Sequence, residues 1–324
     1  MNRNIIRWII AGVLLASLAL GLSSPSIAEG EGGALPMDFT QGGNPPKEEG
    51  WTFLEDGKTP SGYRDSTIEV TSETGKIALK VRGKNVSHPY WVVRIRIKDP
   101  SQLRTAVSKD TYQGRGGAKG DEIAKSKNAV VAMNGDFFKY EFDVGYVVRQ
   151  GEFIRDATGN SRGRIFDMLV IDSEGDFHMI PSATTEKVEE FVSGTLAPEG
   201  RTILQTFNLG PALVINGEAQ DISATEVARQ GLLQWSYPQQ RIALVQTGKL
   251  EYAIVEVYGK TDSSAGMTLQ EFADFTAEKC PDAVIAYNLD GGGSTHLIMK
   301  NKRICKTPGM RDITDIIYFA SAEE

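Results

Sequence analysis

Apolar and polar residues alternate along most of the chain after residue 50, and this period-two pattern predicts β-strands. The pairs Gln150-Gly151, Asn216-Gly217 and Thr247-Gly248 lie between such segments and supply the positive φ angles that tight hairpins need. The predicted strands cover residues 66–70, 77–81, 90–97, 129–133, 145–148, 168–171, 212–215, 242–246, 252–257, 283–287, 296–299 and 313–319. The first two are interpreted as short edge strands.

Helical spacing of apolar residues occurs in two segments. Residues 121–127 carry two apolar residues among charged ones, which predicts a short surface helix. Residues 267–278 have apolar residues three and four apart, with Thr268 as the N-cap, Glu271 three residues later and Pro281 beyond the end. With strands in the majority and few helices, the expected fold is α+β, a single domain with a strand-rich mixed sheet core.

The N-terminus has the pattern of an export signal. Arg3 and Arg7 precede the apolar run at residues 9–22, and Ser26-Ile27-Ala28 has the small-x-Ala form of a cleavage site. We therefore expect residues 1–28 to be a signal peptide and the protein to be secreted or to act in the cell envelope. The alternative is an uncleaved signal that anchors the chain in a membrane.

Composition divides the rest of the chain into three parts. Residues 29–50 are rich in Gly, Pro and Glu without periodicity, which predicts a flexible linker. Residues 51–89 are interpreted as an N-terminal strand extension, and residues 90–324 as the main domain.

Charge and cysteine content exclude some functions. The 324 residues carry a net charge of -7, so no basic face is expected to attract nucleic acid. Cys280 and Cys305 could form a disulfide in an exported protein or remain buried thiols. The three histidines are scattered, so with two cysteines they do not form a zinc motif.

The most informative segment follows the predicted strand at residues 283–287. Three consecutive glycines allow a close backbone approach to an anion, and Ser294 and Thr295 add hydroxyl groups. Asp290 stands where a general acid, base or nucleophile is useful, although a glycine-rich turn capped by Asp290 is the alternative. The segment reads Asn288, Leu289, Asp290, Gly291, Gly292, Gly293, Ser294 and Thr295.

A second polar segment, Asn134-Gly135-Asp136-Phe137-Phe138, follows the strand at residues 129–133. Asn134 is a candidate for orienting a hydroxyl or phosphate oxygen. Asp136 is a candidate for the second carboxylate of a glycosidase pair with Asp290. Competing motifs are absent from the sequence, which has no P-loop lysine after the glycines and no G-x-S-x-G, H-E-x-x-H or EF-hand pattern.

These motifs, in this order, resemble the phosphodiester glycosidase family, and the resemblance extends over about residues 90–319. The segments that carry it are 132–138, 210–217, 241–244, 266–274, 286–295 and 311–314. One departure is Asp136, where many members have Gly or Ala. Another is Ile242, where the family usually has Thr.

The resemblance implies hydrolysis of a glycosyl 1-phosphodiester to free sugar and a phosphomonoester, without a cofactor. It implies that Asp290 is the catalytic carboxylate with Asp136 beside it, and that Arg241 and Arg311 bind the phosphate. The remaining substrate-binding candidates are Asn134, Asn288, Gly291, Gly292, Gly293, Ser294 and Thr295.

The expected partner is a phosphodiester-linked glycan of the cell envelope or the extracellular space. Two other functions stay open at this point. One is a carbohydrate-binding or assembly module without turnover. The other is a metal-assisted phosphodiesterase with Asp136, Asp290 and Asp312 as oxygen ligands of Mg²⁺ or Ca²⁺.

Overall fold

Antiparallel strands dominate the structure, a computed structural model. The described residues are 34–112, 116–136, 145–158, 166–260, 264–305 and 310–324. They belong to one compact unit. The predicted signal peptide, and Phe137 and Phe138 of the second polar segment, lie outside the described residues.

The strands agree with the sequence pattern in most places. In chain order they are β1 (Trp51–Phe53), β2 (Pro60–Arg64), β3 (Ile68–Val81), β4 (Lys84–Ile97), β5 (Leu103–Val107), β6 (Ala129–Asn134), β7 (Tyr146–Arg149), β8 (Glu152–Asp156), β9 (Asp167–Asp172), β10 (Phe177–Ile180), β11 (Ile203–Leu209), β12 (Ala212–Ile215), β13 (Glu218–Ala219), β14 (Arg241–Gly248), β15 (Glu251–Val257), β16 (Ile285–Asn288), β17 (Leu297–Met299), β18 (Lys302–Arg303) and β19 (Asp315–Ala320).

Four α-helices are described. They are α1 (Gly120–Ser126), α2 (Thr185–Phe191), α3 (Glu226–Arg229) and α4 (Leu269–Lys279). The predicted capping box of α4 is present, because Thr268 and Glu271 exchange hydrogen bonds at the start of the helix. In the described part of the chain, no helix has the length and apolar character needed to span a membrane.

The strands form four sheets, and the two largest carry the candidate site. The largest has nine strands in the order β1-β2-β3-β4-β15-β14-β16-β12-β13, and the second has five in the order β18-β17-β6-β19-β5. The others are β10-β9-β11 and the hairpin β7-β8. The α+β single domain is confirmed. The sheet core is antiparallel rather than mixed, because every strand pair among the described residues runs antiparallel.

The main hydrophobic core is shared by the sheets. Ile95 and Leu244 of the nine-stranded sheet belong to the same buried cluster as Met133 and Phe319 of the five-stranded sheet. On the opposite face of the nine-stranded sheet, α4 contributes buried side chains such as Phe272 to a second cluster. Each fully buried side chain of this size contributes roughly 1.5–3 kcal/mol, so these clusters hold the sheets at fixed positions.

The predicted edge strands at residues 66–70 and 77–81 are corrected by the structure. They are the two ends of one strand, β3, which pairs with β4 along all 14 of its residues. The polar residues at 71–76 hide this continuity in the sequence, because their side chains are mostly exposed while their backbone groups still pair. A prediction from hydrophobic alternation ends a strand where both faces become polar.

The predicted flexible linker at residues 29–50 is corrected for its described part, residues 34–50. Leu35 is buried, and Asn44 forms a β-bridge with Ser321 near the end of the chain. The fully buried guanidinium of Arg104 donates hydrogen bonds to carbonyl oxygens in this segment. Its acceptors here are Pro36 at 2.8 Å, Asp38 at 3.1 Å and Gln41 at 3.3 Å. The segment is held through its backbone, so its composition alone gave no sign of order.

Both cysteines are free thiols and both are buried. The backbone N–H of Leu297 donates to the Sγ atom of Cys305 at 3.2 Å. Of the two alternatives that the sequence left open, the structure has the buried thiols.

We expect Arg104→Met to release residues 34–50 and to lower the free energy of unfolding by about 3 kcal/mol, because three carbonyl groups of this segment lose a charged donor. Limited proteolysis with mass spectrometry should then detect cleavage between residues 34 and 50. Arg64→Met is the matched control, since the Arg64 side chain is 77% exposed. Protection of this segment in Arg104→Met equal to that in the control would contradict the role of Arg104.

Candidate active site

The candidate site forms where strands of the two largest sheets end side by side. Asn134 is the last residue of β6, and Asp290 lies two residues after the end of β16. The Nδ2 atom of Asn134 donates to the carbonyl oxygen of Asp290 at 2.9 Å. Its Oδ1 atom accepts from the backbone N–H of His296 at 3.0 Å. The buried Asn134 amide thus positions the Asp290 loop, and this use differs from the expected contact with substrate.

Asp290 and Arg311 form the centre of the site. The Nη2 atom of Arg311 donates to Oδ2 of Asp290 at 3.0 Å, and its Nε atom donates to Oγ of Ser294 at 2.6 Å. The Asp290 side chain is 12% exposed, whereas that of Arg311 is 52% exposed. Burial raises the pKa of Asp290 to about 6, against the lowering effect of hydrogen bonds from Ser294 and Arg311. A solute can therefore meet an accessible cation beside a largely buried carboxylate.

The backbone of Arg311 is fixed from two sides. Its N–H donates to the carbonyl oxygen of Gly293 at 3.1 Å. Its carbonyl oxygen lies 3.2 Å from Nε2 of His296, which must carry the proton to make this hydrogen bond. Burial lowers the pKa of His296 to about 4, so the imidazole is neutral near pH 7. His296 follows Thr295 directly, but a lone histidine gave no sequence signal of this positioning role.

The three glycines serve the packing of the loop. A Cβ atom on Gly291 would lie 2.6 Å from the carbonyl oxygen of Gln240, and Gly292 has a φ of +58°. The N–H of Gly292 donates to that same carbonyl oxygen at 3.0 Å. The N–H groups of Ser294 and Thr295 bond to carbonyl oxygens of the loop. The Gly292 amide is therefore already used, and anion binding by the amides of Gly291 and Gly293 stays a prediction.

Arg241 is placed differently from Arg311, although the same resemblance pointed to both. Its side chain is buried, and its guanidinium donates to four backbone carbonyl oxygens. These belong to Met267 at 3.1 Å, Leu233 at 3.2 Å, Gln234 at 2.9 Å and Tyr237 at 3.0 Å. Burial lowers the pKa of Arg241 to about 10, and the charge of Asp290 opposes this effect. The expected phosphate contact is corrected to a role in shaping the loop at residues 233–237.

Asp136 is held by a buried arginine and by a backbone amide. Its Oδ1 atom accepts from Nη2 of Arg149 at 2.7 Å, and its Oδ2 atom accepts from the N–H of Asn208 at 2.9 Å. Arg149 also bonds to Asp315 at 3.3 Å. Burial, with the charge of Asp136 adding to it, raises the pKa of Asp315 to about 8. Asp136 therefore belongs to a buried ion pair beneath the site.

The oxygen ligands suggested for a metal do not assemble. Asp136 is bound to Arg149, Asp290 to Arg311, and Asp312 is exposed. Across the described ranges, no three His, Cys, Asp or Glu side chains are grouped so as to hold a metal ion. The donor set of the metal-assisted alternative is thus not formed by these residues.

Asn288 and Thr295 are the two ends of the segment that contains Asp290, and both are buried. The Nδ2 atom of Asn288 donates to the carbonyl oxygen of Gly210 at 2.9 Å. This bond fastens the end of β16 to the residue two positions before β12. Asn288 thus acts on the position of the strand that carries Asp290, rather than at the surface where a substrate would bind.

Two residues that the sequence reasoning missed support the same loop. Gln240, whose carbonyl oxygen accepts from Gly292, also donates from Nε2 to Oε1 of Glu256 at 2.7 Å. Burial raises the pKa of Glu256 to about 8, so this side chain is mostly a neutral acid near pH 7. The available signal was one acidic residue in the otherwise apolar strand at residues 252–257.

We expect Asp290→Asn to stabilise the fold at high pH. Because the folded pKa is about 6 and the ordinary value is 3.8, the charged carboxylate opposes folding increasingly as the pH rises between these values. The gain in the free energy of unfolding should be about 3 kcal/mol near pH 8 and should vanish below about pH 4. Urea unfolding at both pH values measures it.

Asp282→Asn is the control for this prediction, since the side chain of Asp282 is 50% exposed. It should change the free energy of unfolding by less than about 0.5 kcal/mol at either pH. An Asp290→Asn protein less stable than the wild type near pH 8 would show that the buried charge does not destabilise the fold.

Comparisons with known proteins identify the family. The model of the phosphodiester glycosidase family matches residues 127–320, more than half of the 324 residues. The fold is similar to the zebrafish N-acetylglucosamine-1-phosphodiester alpha-N-acetylglucosaminidase catalytic domain auto-inhibited by its pro-peptide. That match has a TM-score of 0.59 and 17% identity, and covers 78% of this chain and 83% of the other. A hypothetical protein from Synechocystis matches with a TM-score of 0.50 and 16% identity, over 81% of this chain and 64% of the other. No curated protein matches the sequence closely enough to count as a relative. At these low identities the two structures support the fold alone. The family model covers both site segments and more than half of the sequence, so this chain belongs to the phosphodiester glycosidase family.

Proposed function

We propose that this protein hydrolyses the bond between the anomeric carbon of a sugar and the phosphate of a phosphodiester. The products are free sugar and a phosphomonoester. The observation that carries the proposal is the largely buried Asp290 carboxylate 3.0 Å from the accessible guanidinium of Arg311, within the segment that matches the family. The substrate class in the description of the zebrafish enzyme supports the same chemistry.

The two side chains suit the two halves of the reaction. Arg311 balances the negative charge of the phosphodiester and of the phosphomonoester as it leaves. Asp290, ionised above about pH 6, stabilises positive charge at the anomeric carbon or accepts a proton from the attacking water. The carbon–oxygen bond to phosphate breaks, and the water oxygen forms the new bond to the anomeric carbon.

A single carboxylate at the centre is compatible with this leaving group. An ordinary glycosidase uses a second carboxylic acid to protonate a sugar oxygen. A phosphomonoester needs less protonation to leave than a sugar alkoxide does. The commitment of Asp136 to Arg149 therefore does not deprive the reaction of a necessary acid.

We further propose that the natural substrate is a phosphodiester-linked glycan of the cell envelope or the extracellular space. The export signal predicted at residues 1–28 supports this location.

The decisive experiment measures free sugar released from methyl diesters of N-acetylglucosamine 1-phosphate and glucose 1-phosphate. The wild type should hydrolyse at least one of them, and Asp290→Asn should keep less than about a tenth of the rate. Asp312→Asn is the control, because Asp312 is exposed and has a proposed role only as a metal ligand in the metal-assisted alternative. Wild-type protein that binds these diesters without releasing sugar would support the non-catalytic binding module instead. Loss of the rate in EDTA would support the metal-assisted reaction.

The pH profile of the same reaction separates the roles open to Asp290. If the ionised carboxylate acts, kcat/KM should fall as the pH decreases through about 6. A fall as the pH rises through that value would instead mean that the protonated acid acts, and would contradict the role proposed above.

Lysine substitutions should distinguish the two arginines. Arg311→Lys should lower kcat/KM on the order of tenfold with little change in stability, because lysine cannot donate to Asp290 and Ser294 in the same planar arrangement. Arg241→Lys should lower the thermal midpoint first, because lysine cannot serve the four carbonyl oxygens. Thermal melts and initial rates of both variants test this, and the reverse pattern would restore Arg241 as the phosphate ligand.

A further inference from the structure

A second concave surface lies away from the Asp290 loop and encloses about 450 Å³. This volume is within the range of small-ligand sites. Its side walls come from residues 110–112 and from β8, and Phe39 closes it from the N-terminal segment. We refer to it as the aromatic cavity, after the three rings that line it: Phe39, Tyr112 and Phe153.

The three aromatic rings line the cavity at different angles, and one of them is largely exposed. The ring centroids of Phe39 and Tyr112 are 4.7 Å apart with an interplanar angle of 45°. Phe153 is 56% exposed, and its ring centroid lies 5.2 Å from that of Tyr146. A large aromatic side chain left this exposed inside a concave surface is a feature of ligand sites. Flat rings of this kind pack well against the C–H faces of a pyranose ring.

The charged side chains favour a neutral, hydroxyl-rich ligand over an anion. Asp110 and Glu152 bring two carboxylates to the cavity, and Arg155 brings one guanidinium. Asp110 is 50% exposed while it bonds to Lys127 at 2.7 Å, so it is held in place and still accessible. Carboxylates accept hydrogen bonds from sugar hydroxyl groups, and a guanidinium donates to sugar oxygens. Lys127 balances the charge of Asp110, and Arg155 balances that of Glu152, so the cavity has no excess of positive charge to favour a phosphate group.

The aromatic cavity is connected to the active site through strand pairing and hydrogen bonds. β8 pairs with β7, and Arg149 at the end of β7 holds Asp136. Asp136 follows Asn134 by two residues, and Asn134 holds Asp290. The N-terminal segment that provides Phe39 is fixed by Arg104, which donates to the carbonyl oxygens of Asp38 before it and Gln41 after it. The cavity is thus built on elements whose positions are determined by the same core as the site.

We propose that the aromatic cavity binds an uncharged sugar unit of the glycan at a distance from the bond that is cleaved. This inference rests on the proposed function for the identity of the polymer. The binding itself depends on the cavity alone, so the two can fail separately. A site of this kind raises the local concentration of linked substrate at the active site through attachment in two places.

The test uses uncharged oligosaccharides, the tetramer of N-acetylglucosamine and cellotetraose, with the full-length protein. Saturation-transfer NMR and calorimetric titration should detect binding of at least one of them to the wild type. Phe153→Ala should weaken that binding by about fivefold or more, or roughly 1 kcal/mol, for the loss of one aromatic contact. Glu152→Gln should weaken it as well, by removing the charge of a hydroxyl acceptor.

Phe53→Ala is the matched control, because Phe53 is 40% exposed and lies on β1, outside the cavity. It should leave the affinity unchanged, and inorganic phosphate should not compete with the oligosaccharide. Absence of binding to the wild type, or equal affinities of Phe153→Ala and Phe53→Ala, would overturn the proposal. Competition by phosphate would also overturn it, since the ligand would then be an anion.

A wild type that cleaves the methyl diesters but binds neither tetramer refutes this inference alone. One that binds a tetramer but cleaves no diester refutes the proposed function alone.

Discussion

The geometry of the site depends on the buried amide of Asn134. One end of this side chain accepts from the backbone of His296, which leads into β17, and the other end donates to the backbone of Asp290 after β16. β17 belongs to the five-stranded sheet and β16 to the nine-stranded sheet. A single side chain thus bridges the ends of two strands from different sheets, at the point where the Asp290 carboxylate meets Arg311. Because both partners are backbone atoms, the arrangement does not depend on the rotamers of exposed residues.

Beneath this point the protein buries several ionisable groups and stabilises them in three ways. Arg149 lies between Asp136 and Asp315 and has contacts of 2.7 and 3.3 Å with them. Glu256 is mostly protonated near pH 7 and is bound to Gln240. Arg241 keeps its charge but distributes it over backbone carbonyl dipoles. Unpaired charges in the same places would cost several kcal/mol each, so the pairing or protonation of these groups is the condition for a site this deep.

Asp290 is the exception in this layer, and the exception indicates where function lies. Its pKa is raised to about 6, so near neutral pH the protein holds a carboxylate that burial disfavours. The neighbouring Arg311 offsets only part of this effect, since more than half of its side chain is in solvent. A stable fold gains nothing from such a charge. A reaction that develops positive charge beside a phosphate gains directly from it, because the electrostatic environment is in place before the substrate arrives.

The sequence predicted local features well and long-range partners poorly. Residues 90–97 were recognised as a strand because apolar and polar residues alternate, and residues 212–215 because all four are apolar. The capping residues Thr268 and Glu271 marked the start of α4. β5 and β11 were missed, since Arg104 in the one and Gln205 in the other interrupt the apolar pattern although both are fully buried. Their partners lie far along the chain, such as Tyr318 for Arg104 and Thr105 for Gln205.

The same limit explains the outcome for the two candidate arginines. Arg241 begins a central strand and is surrounded by the chain at residues 233–237 and 267, whereas Arg311 lies in a segment without regular structure before β19. A motif records only that an arginine stands at each position. It does not record whether the guanidinium meets a ligand or the protein's own carbonyl groups, because that depends on how much of the chain packs around it. Exposure, which only the folded structure determines, favours Arg311 for the proposed contact with phosphate and Arg241 for the support of the loop.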